Sequence, residues 1–221
     1  MLNILKIIKL FICFLMFFFG INSSFAVTSA KVESKQLSET SATAKNIVID
    51  FQNVLLDVMK KGQSLDFQAR CKQLEVAILK SHDVIKSLRT IVGSKEWNSF
   101  SDAQKNQLTK VFTKFIVSTY ASNFNEFSNE SFSYISEHTT KKGNIIVRSV
   151  LDIPAGKRKK VTFDYALKKN GNDWKIYNIA ADGVSDLATR RSEYRRILAK
   201  NDGFNALIAI ITKKIDNYAK Q

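Results

Sequence analysis

Two histidines, His82 and His138, and two cysteines, Cys13 and Cys71, are all the chain offers for nucleophilic, acid–base or soft-metal chemistry beyond its hydroxyls, carboxylates, lysines and methionines. No His-x-x-x-His, Cys-x-x-Cys or Glu-x-x-His spacing occurs, so the sequence holds no ligand set for zinc. A Gly-x-Ser-x-Gly elbow and a phosphate-cradling glycine loop are likewise missing. Some serine could still pair with either histidine, which leaves an exported hydrolase as a rival reading; both histidines otherwise read as surface residues. Cys71 falls on an apolar helical stripe and reads as a small buried hydrophobe. Trp97 and Trp174 read as core anchors.

A different chemistry, the sheltering of hydrocarbon, needs large apolar residues on facing layers. Phe112, Phe115, Ile116 and Tyr120 share a helical stripe, and Val147, Phe163, Tyr165 and Ile176 lie on strand-like segments. These are candidates for the opposed walls of a lipid cavity, although the same residues would also suit a solid core. Arg191 stands four residues after Leu187 and three before Tyr194, so its stem is expected to run along an inward stripe. Its guanidinium would then reach a cavity mouth or a carboxylate.

The elements that must position these residues follow from periodicity. Residues 1 to 26 read as a secretory signal peptide: Lys6 and Lys9 precede an apolar run from Leu10 to Gly20, and Ser24 and Ala26 suit cleavage after Ala26. An uncleaved anchor is the alternative, but the run is short of the roughly 20 residues a spanning helix needs. Cleavage removes Cys13 and leaves Cys71 alone, so no internal disulfide can form. A polar leader, 27 to 41, precedes the folded domain, 42 to 221.

Within that domain helical spacing holds to about residue 124. Ile47, Phe51, Leu55 and Val58 form one stripe before Gly62; Phe67, Cys71, Leu74 and Ile78 form a second; a short segment from Asp83 to Val92 closes at Gly93. Ser101-Asp102-Ala103-Gln104 has the form of a capping box and should open a long helix. Partial alternation then marks four strands, 132 to 138, 144 to 152, 160 to 168 and 174 to 181. Asn170-Gly171 is expected to be a tight turn with both residues at positive φ. Two helices finish the chain, the first capped by Ser185. Helices, then a meander, then helices predict an α+β domain with helices on one sheet face.

The formal net charge is +14, from 34 Lys and Arg against 20 Asp and Glu. Cations cluster at Lys157 to Lys160 and at Arg190, Arg191, Arg195 and Arg196. A solvated basic face and attraction to anionic lipid headgroups both account for them. Export argues against nucleic acid, and a basic envelope scaffold is a further rival.

Taken together, Gly93 with Trp97, Ser101 to Gln104, Phe112, Phe115, Tyr120-Ala121, Phe124, Trp174 to Ile179, Gly183-Val184-Ser185, Arg191 and Tyr194 resemble the MlaC family of periplasmic phospholipid-binding, or toluene-tolerance, proteins. The resemblance runs from about residue 45 to 215. The stretches 120 to 124 and 187 to 194 look most similar to the hopanoid-associated HpnM branch. His82 departs from a usual Phe, and Arg190 from a Tyr common in phospholipid carriers.

The resemblance implies a twisted antiparallel sheet of four or five strands, with helices enclosing an apolar cavity for acyl chains. It also implies a non-enzymatic periplasmic carrier, without cofactor or metal. Its cargo would be a phospholipid or, alternatively, a hopanoid or other polycyclic lipid. Its partners would be an inner-membrane ABC transporter bearing a lipid-binding ring and an outer-membrane lipoprotein complex.

Overall fold

The computed structural model describes residues 43 to 154 and 160 to 220. The expected signal peptide and leader, and Lys157 to Lys159 of the hairpin cluster, lie outside these residues.

The described chain forms seven helices and one five-stranded sheet. Helices α1 (Ala44–Lys61), α2 (Phe67–Ser81), α3 (Val84–Val92), α4 (Ser94–Ser99) and α5 (Asp102–Asn123) come first. Strands β1 (Ser131–Thr139), β2 (Ile145–Asp152), β3 (Lys160–Asn170), β4 (Asp173–Ala181) and β5 (Val184–Ser185) follow, and α6 (Asp186–Leu198) and α7 (Gly203–Ala219) close the chain. The sheet runs in chain order, and every pairing is antiparallel.

Helix starts follow from local chemistry. Thr43, Asp66, Asp83, Ser101 and Ser185 each accept a hydrogen bond from the backbone N–H three residues on, satisfying donors that have no partner inside the helix. At α5 the box is reciprocal, since Gln104 Oε1 accepts from the Ser101 N–H at 2.9 Å.

Strand β3 alternates as its sequence demands: Val161, Phe163, Tyr165 and Leu167 are buried. Asp164 on the other face accepts both arms of Arg148 from β2, at 2.7 and 2.8 Å. The hairpin after β3 differs from the sequence expectation. Asn170 pairs with Asp173, so the two loop residues are Gly171 and Asn172, and Gly171 alone has positive φ, at 61°. Glycine at the first loop position suits a type II′ turn. The turn with two positive φ values lies one hairpin later, at Asp182 (47°) and Gly183 (81°), where it pairs β4 with the short β5.

The interior divides into two hydrophobic clusters. The first joins the inner sheet face to α1, α2 and the C-terminal half of α5, with Phe51, Leu55, Leu74, Ile78, Tyr120, Phe124, Val147, Phe163 and Ile176 among its members. The second joins α3, α4, the N-terminal half of α5, α6 and α7 through Leu88, Ile91, Trp97, Phe112, Phe115, Tyr194, Leu207 and Ile211. At 22 residues, or about 33 Å, α5 runs through both, and Ile116 packs against each. Three of its buried polar positions are satisfied within the helix: Thr113 and Thr119 donate to the carbonyls four residues back, and so does the Asn123 amide.

Candidate functional site

Where the two clusters meet there is a cavity of about 50 Å³. Four elements and one linker supply its wall. Helix α5 contributes Phe112, Ile116, Thr119 and Tyr120; β4 contributes Ile176 to Ile179; α6 contributes Asp186, Leu187 and Arg190; α3 contributes Ser87, and the α2–α3 link His82. The Asp83 N–H donates to Ile176 O at 2.8 Å, and Ser87 Oγ lies 2.8 Å from Tyr177 O, which fixes α3 against β4. The start of α6 is fixed the same way, because Asn178 Oδ1 accepts from Ser185 Oγ at 3.0 Å.

Polar groups in this wall are mostly spent on neighbours. Thr119 Oγ1 donates to Phe115 O, and Ser87 Oγ is held between two backbone carbonyls. Tyr120 is held neutral, its pKa pushed well up by burial. Arg190 stays charged: burial works against the guanidinium, but Asp186, with the nearby tyrosines, outweighs it and raises its pKa. Its Nε donates to Asp186 Oδ2 at 2.7 Å, and its guanidinium lies 4.4 Å from the Phe115 ring centre.

His82 has a different environment. Burial, helped by the Lys175 charge, pushes its pKa down to about 3, so the ring is neutral near pH 7. Its Nδ1 lies 2.8 Å from Ser81 Oγ, while its Nε2 is buried without a hydrogen-bond partner. This is not a working Ser–His dyad. Ser81 is buried and its hydroxyl donates to Ala77 O at 2.6 Å, the imidazole is too weak a base, and no carboxylate orients its free nitrogen. Among the described residues no group of three or more His, Cys, Asp or Glu is placed to hold a metal ion.

Four of the residues picked out from sequence, Phe112, Ile116, Tyr120 and Ile176, share this cavity. Phe115 lies beneath Arg190 in the second cluster instead. Val147, Phe163 and Tyr165, expected from sequence in the opposed wall, are packed into the first cluster and do not line this cavity. The inner face of β2 and β3 is covered by α1, whose buried Gln52 donates to Ser149 Oγ at 2.7 Å and to Tyr165 OH at 3.2 Å. Burial raises the Tyr165 pKa to about 12 despite these contacts, so the phenol stays neutral in the packed layer.

Arg191 is exposed, and the inward position on α6 belongs to Arg190. Both arginines sit three or four residues from Leu187 and from Tyr194; Asp186, one turn before Arg190, decides between them. His82, read from sequence as a surface residue, is in the cavity wall. His138 is exposed. Sequence reasoning missed Ser87, Asn178 and Asp186, whose roles depend on contacts between elements.

The protein-family description matching the chain is "MlaC protein", over residues 50–213, which is most of its length. The chain belongs to the MlaC family. No curated protein matches this MlaC-family chain. Among solved structures it is similar to a phospholipid-binding protein from Ralstonia solanacearum, determined in complex with a phospholipid. The TM-score is 0.70 at 20% identity, covering 80% of this chain and 99% of that one. The two share an α+β fold of helices on an open antiparallel sheet.

Proposed function

We propose that this MlaC-family protein is a non-enzymatic lipid carrier that takes acyl chains into the seam between its two hydrophobic clusters. The observation that carries this reading is the placement of the cavity. It opens between two separately packed cores, and its wall is mostly apolar. Each buried methylene is worth about 0.8 kcal/mol, so two chains totalling some 30 methylenes need shelter worth on the order of 25 kcal/mol. A cavity of this size has room for only a few water molecules, at roughly 10–15 Å³ each. The slot is therefore a starting point for a tail, and the clusters must part along it to admit more.

Family membership and the shared fold with a phospholipid complex support this reading. The finer reading is a periplasmic protein, exported by residues 1 to 26. It would move lipid between an outer-membrane lipoprotein complex and an inner-membrane ABC transporter. The departures from the phospholipid-carrier pattern at His82 and Arg190 both fall in the cavity wall, which favours placement near the hopanoid-associated branch and a polycyclic lipid as the second reading.

Solvent extraction of natively purified protein followed by mass spectrometry should yield about one lipid per chain, and its identity separates the two cargoes. Protein free of stoichiometric lipid, and unable to take any up from vesicles, would overturn the proposal.

A further inference from the structure

Among the described residues that line the cavity, His82 has a buried side-chain nitrogen with no hydrogen-bond partner. Ser81 carries a single hydroxyl proton, and it is donated to Ala77 O at 2.6 Å. Ser81 Oγ can therefore only accept across the 2.8 Å contact with His82 Nδ1, which puts the imidazole proton on Nδ1. With the ring neutral, Nε2 presents a bare lone pair. It is buried and has no partner. The neighbouring rings pack on it without hydrogen-bonding to Nε2: Phe51 and Tyr120 meet the imidazole edge to face, at centroid distances of 4.8 and 6.5 Å. A buried acceptor without a donor is costly, and a ligand that supplies the donor recovers that cost.

We propose that His82 determines specificity in this cavity by accepting, at Nε2, a hydrogen bond from a neutral hydroxyl on the lipid. This rests on the lipid-carrier reading and sharpens it. An anionic phosphate or carboxylate would set electron pair against electron pair at this nitrogen, so the group that reaches His82 is an alcohol, and any charged headgroup lies elsewhere. Arg190 does not duplicate the role, since it is a donor already paired with Asp186.

The test uses the delipidated full chain and two probes with the same hexadecyl chain delivered from cyclodextrin, hexadecanol and its methyl ether. The ether keeps the oxygen but has no proton to give. The wild type should bind the alcohol about five- to tenfold more tightly, the range expected for one net hydrogen bond. His82→Phe should bind both probes alike. Equal affinities in the wild type, or a preference that survives His82→Phe, would overturn the assignment while leaving a lipid carrier in place. If neither probe binds to protein that does take up lipid from vesicles, the assignment fails alone; if vesicle lipid is not taken up either, the carrier reading fails and takes the assignment with it. Imidazole nitrogen NMR on the wild type gives a readout independent of the variant's folding. Nε2 should be unprotonated and its resonance should move with the alcohol but not with the ether; a protonated Nε2, or no movement, would count against the assignment.

Discussion

Arg190 lies in the interior against the Asp186 carboxylate at 2.7 Å, which with the nearby tyrosines keeps it charged, and the face of Phe115 at 4.4 Å. Arg190→Leu removes both and leaves Asp186 without its cation, although that carboxylate is partly in water. A loss of about 2 kcal/mol in urea unfolding is expected, below the 3–5 kcal/mol of a fully buried pair. Arg191→Leu should stay within about 0.5 kcal/mol. Spacing alone could not tell the two arginines apart, because on a 3.6-residue helix both fit between Leu187 and Tyr194. The informative signal was local, an acid four residues before one of them and not the other.

His82 gives a second expectation at this scale. Its native pKa is depressed to about 3, below the 6.5 of a free imidazole. Above pH 6.5 neither state is protonated there, and the residue adds no pH dependence. Between about 6.5 and 3 the unfolded chain binds a proton that the native state refuses, so stability falls with acidification. The limiting slope is about 1.4 kcal/mol per pH unit. Urea midpoints measured at intervals from pH 7 to pH 4 should show this slope, and His82→Phe should remove it.

Helix α5 is the element on which the site depends. Its start was legible because the Ser101 box is a local signal, and its length because the apolar stripe persists to Phe124. The strands were legible for the same reason: alternation on β3 is a property of neighbours two residues apart. Helix α4 escaped notice because its six residues are too few to show a period, and β5 because two residues carry no pattern. Also hidden was the position of α1. Several amphipathic helices could have covered the β2–β3 face, and the pairing of Gln52 with Ser149 spans 97 residues of sequence.

With the β2–β3 face covered by α1, the effect of filling the cavity is best tested on α5. Ile116 touches both clusters and lines the cavity. Ile116→Trp should fill the slot and cut lipid retention at least tenfold, at a folding cost of about 1–3 kcal/mol from overpacking. Retained lipid in a folded Ile116→Trp variant would move the binding site away from this seam.

At the scale of the molecule, the two clusters do not follow each other along the chain. The first is built from α1, α2, the end of α5 and the sheet, and the second from α3, α4, the start of α5, α6 and α7. The second cluster is therefore split by the whole sheet, with Leu88, Ile91, Phe112 and Phe115 on one side of it in sequence and Tyr194, Leu207 and Ile211 on the other.

Synthesis runs from the amino end, and this arrangement gives it an awkward interval. When the meander has emerged, the first core has all its parts, while a broad greasy flank of α3 and α5 still waits for a cover made last. A chain stopped after Ser185 should accordingly keep strand circular dichroism, bind the dye ANS strongly and clump at micromolar concentration. Adding a peptide of residues 186 to 221 should quench the dye signal. The final three dozen residues thus act as a late-arriving cover, and until they dock, the chain shows that flank to water.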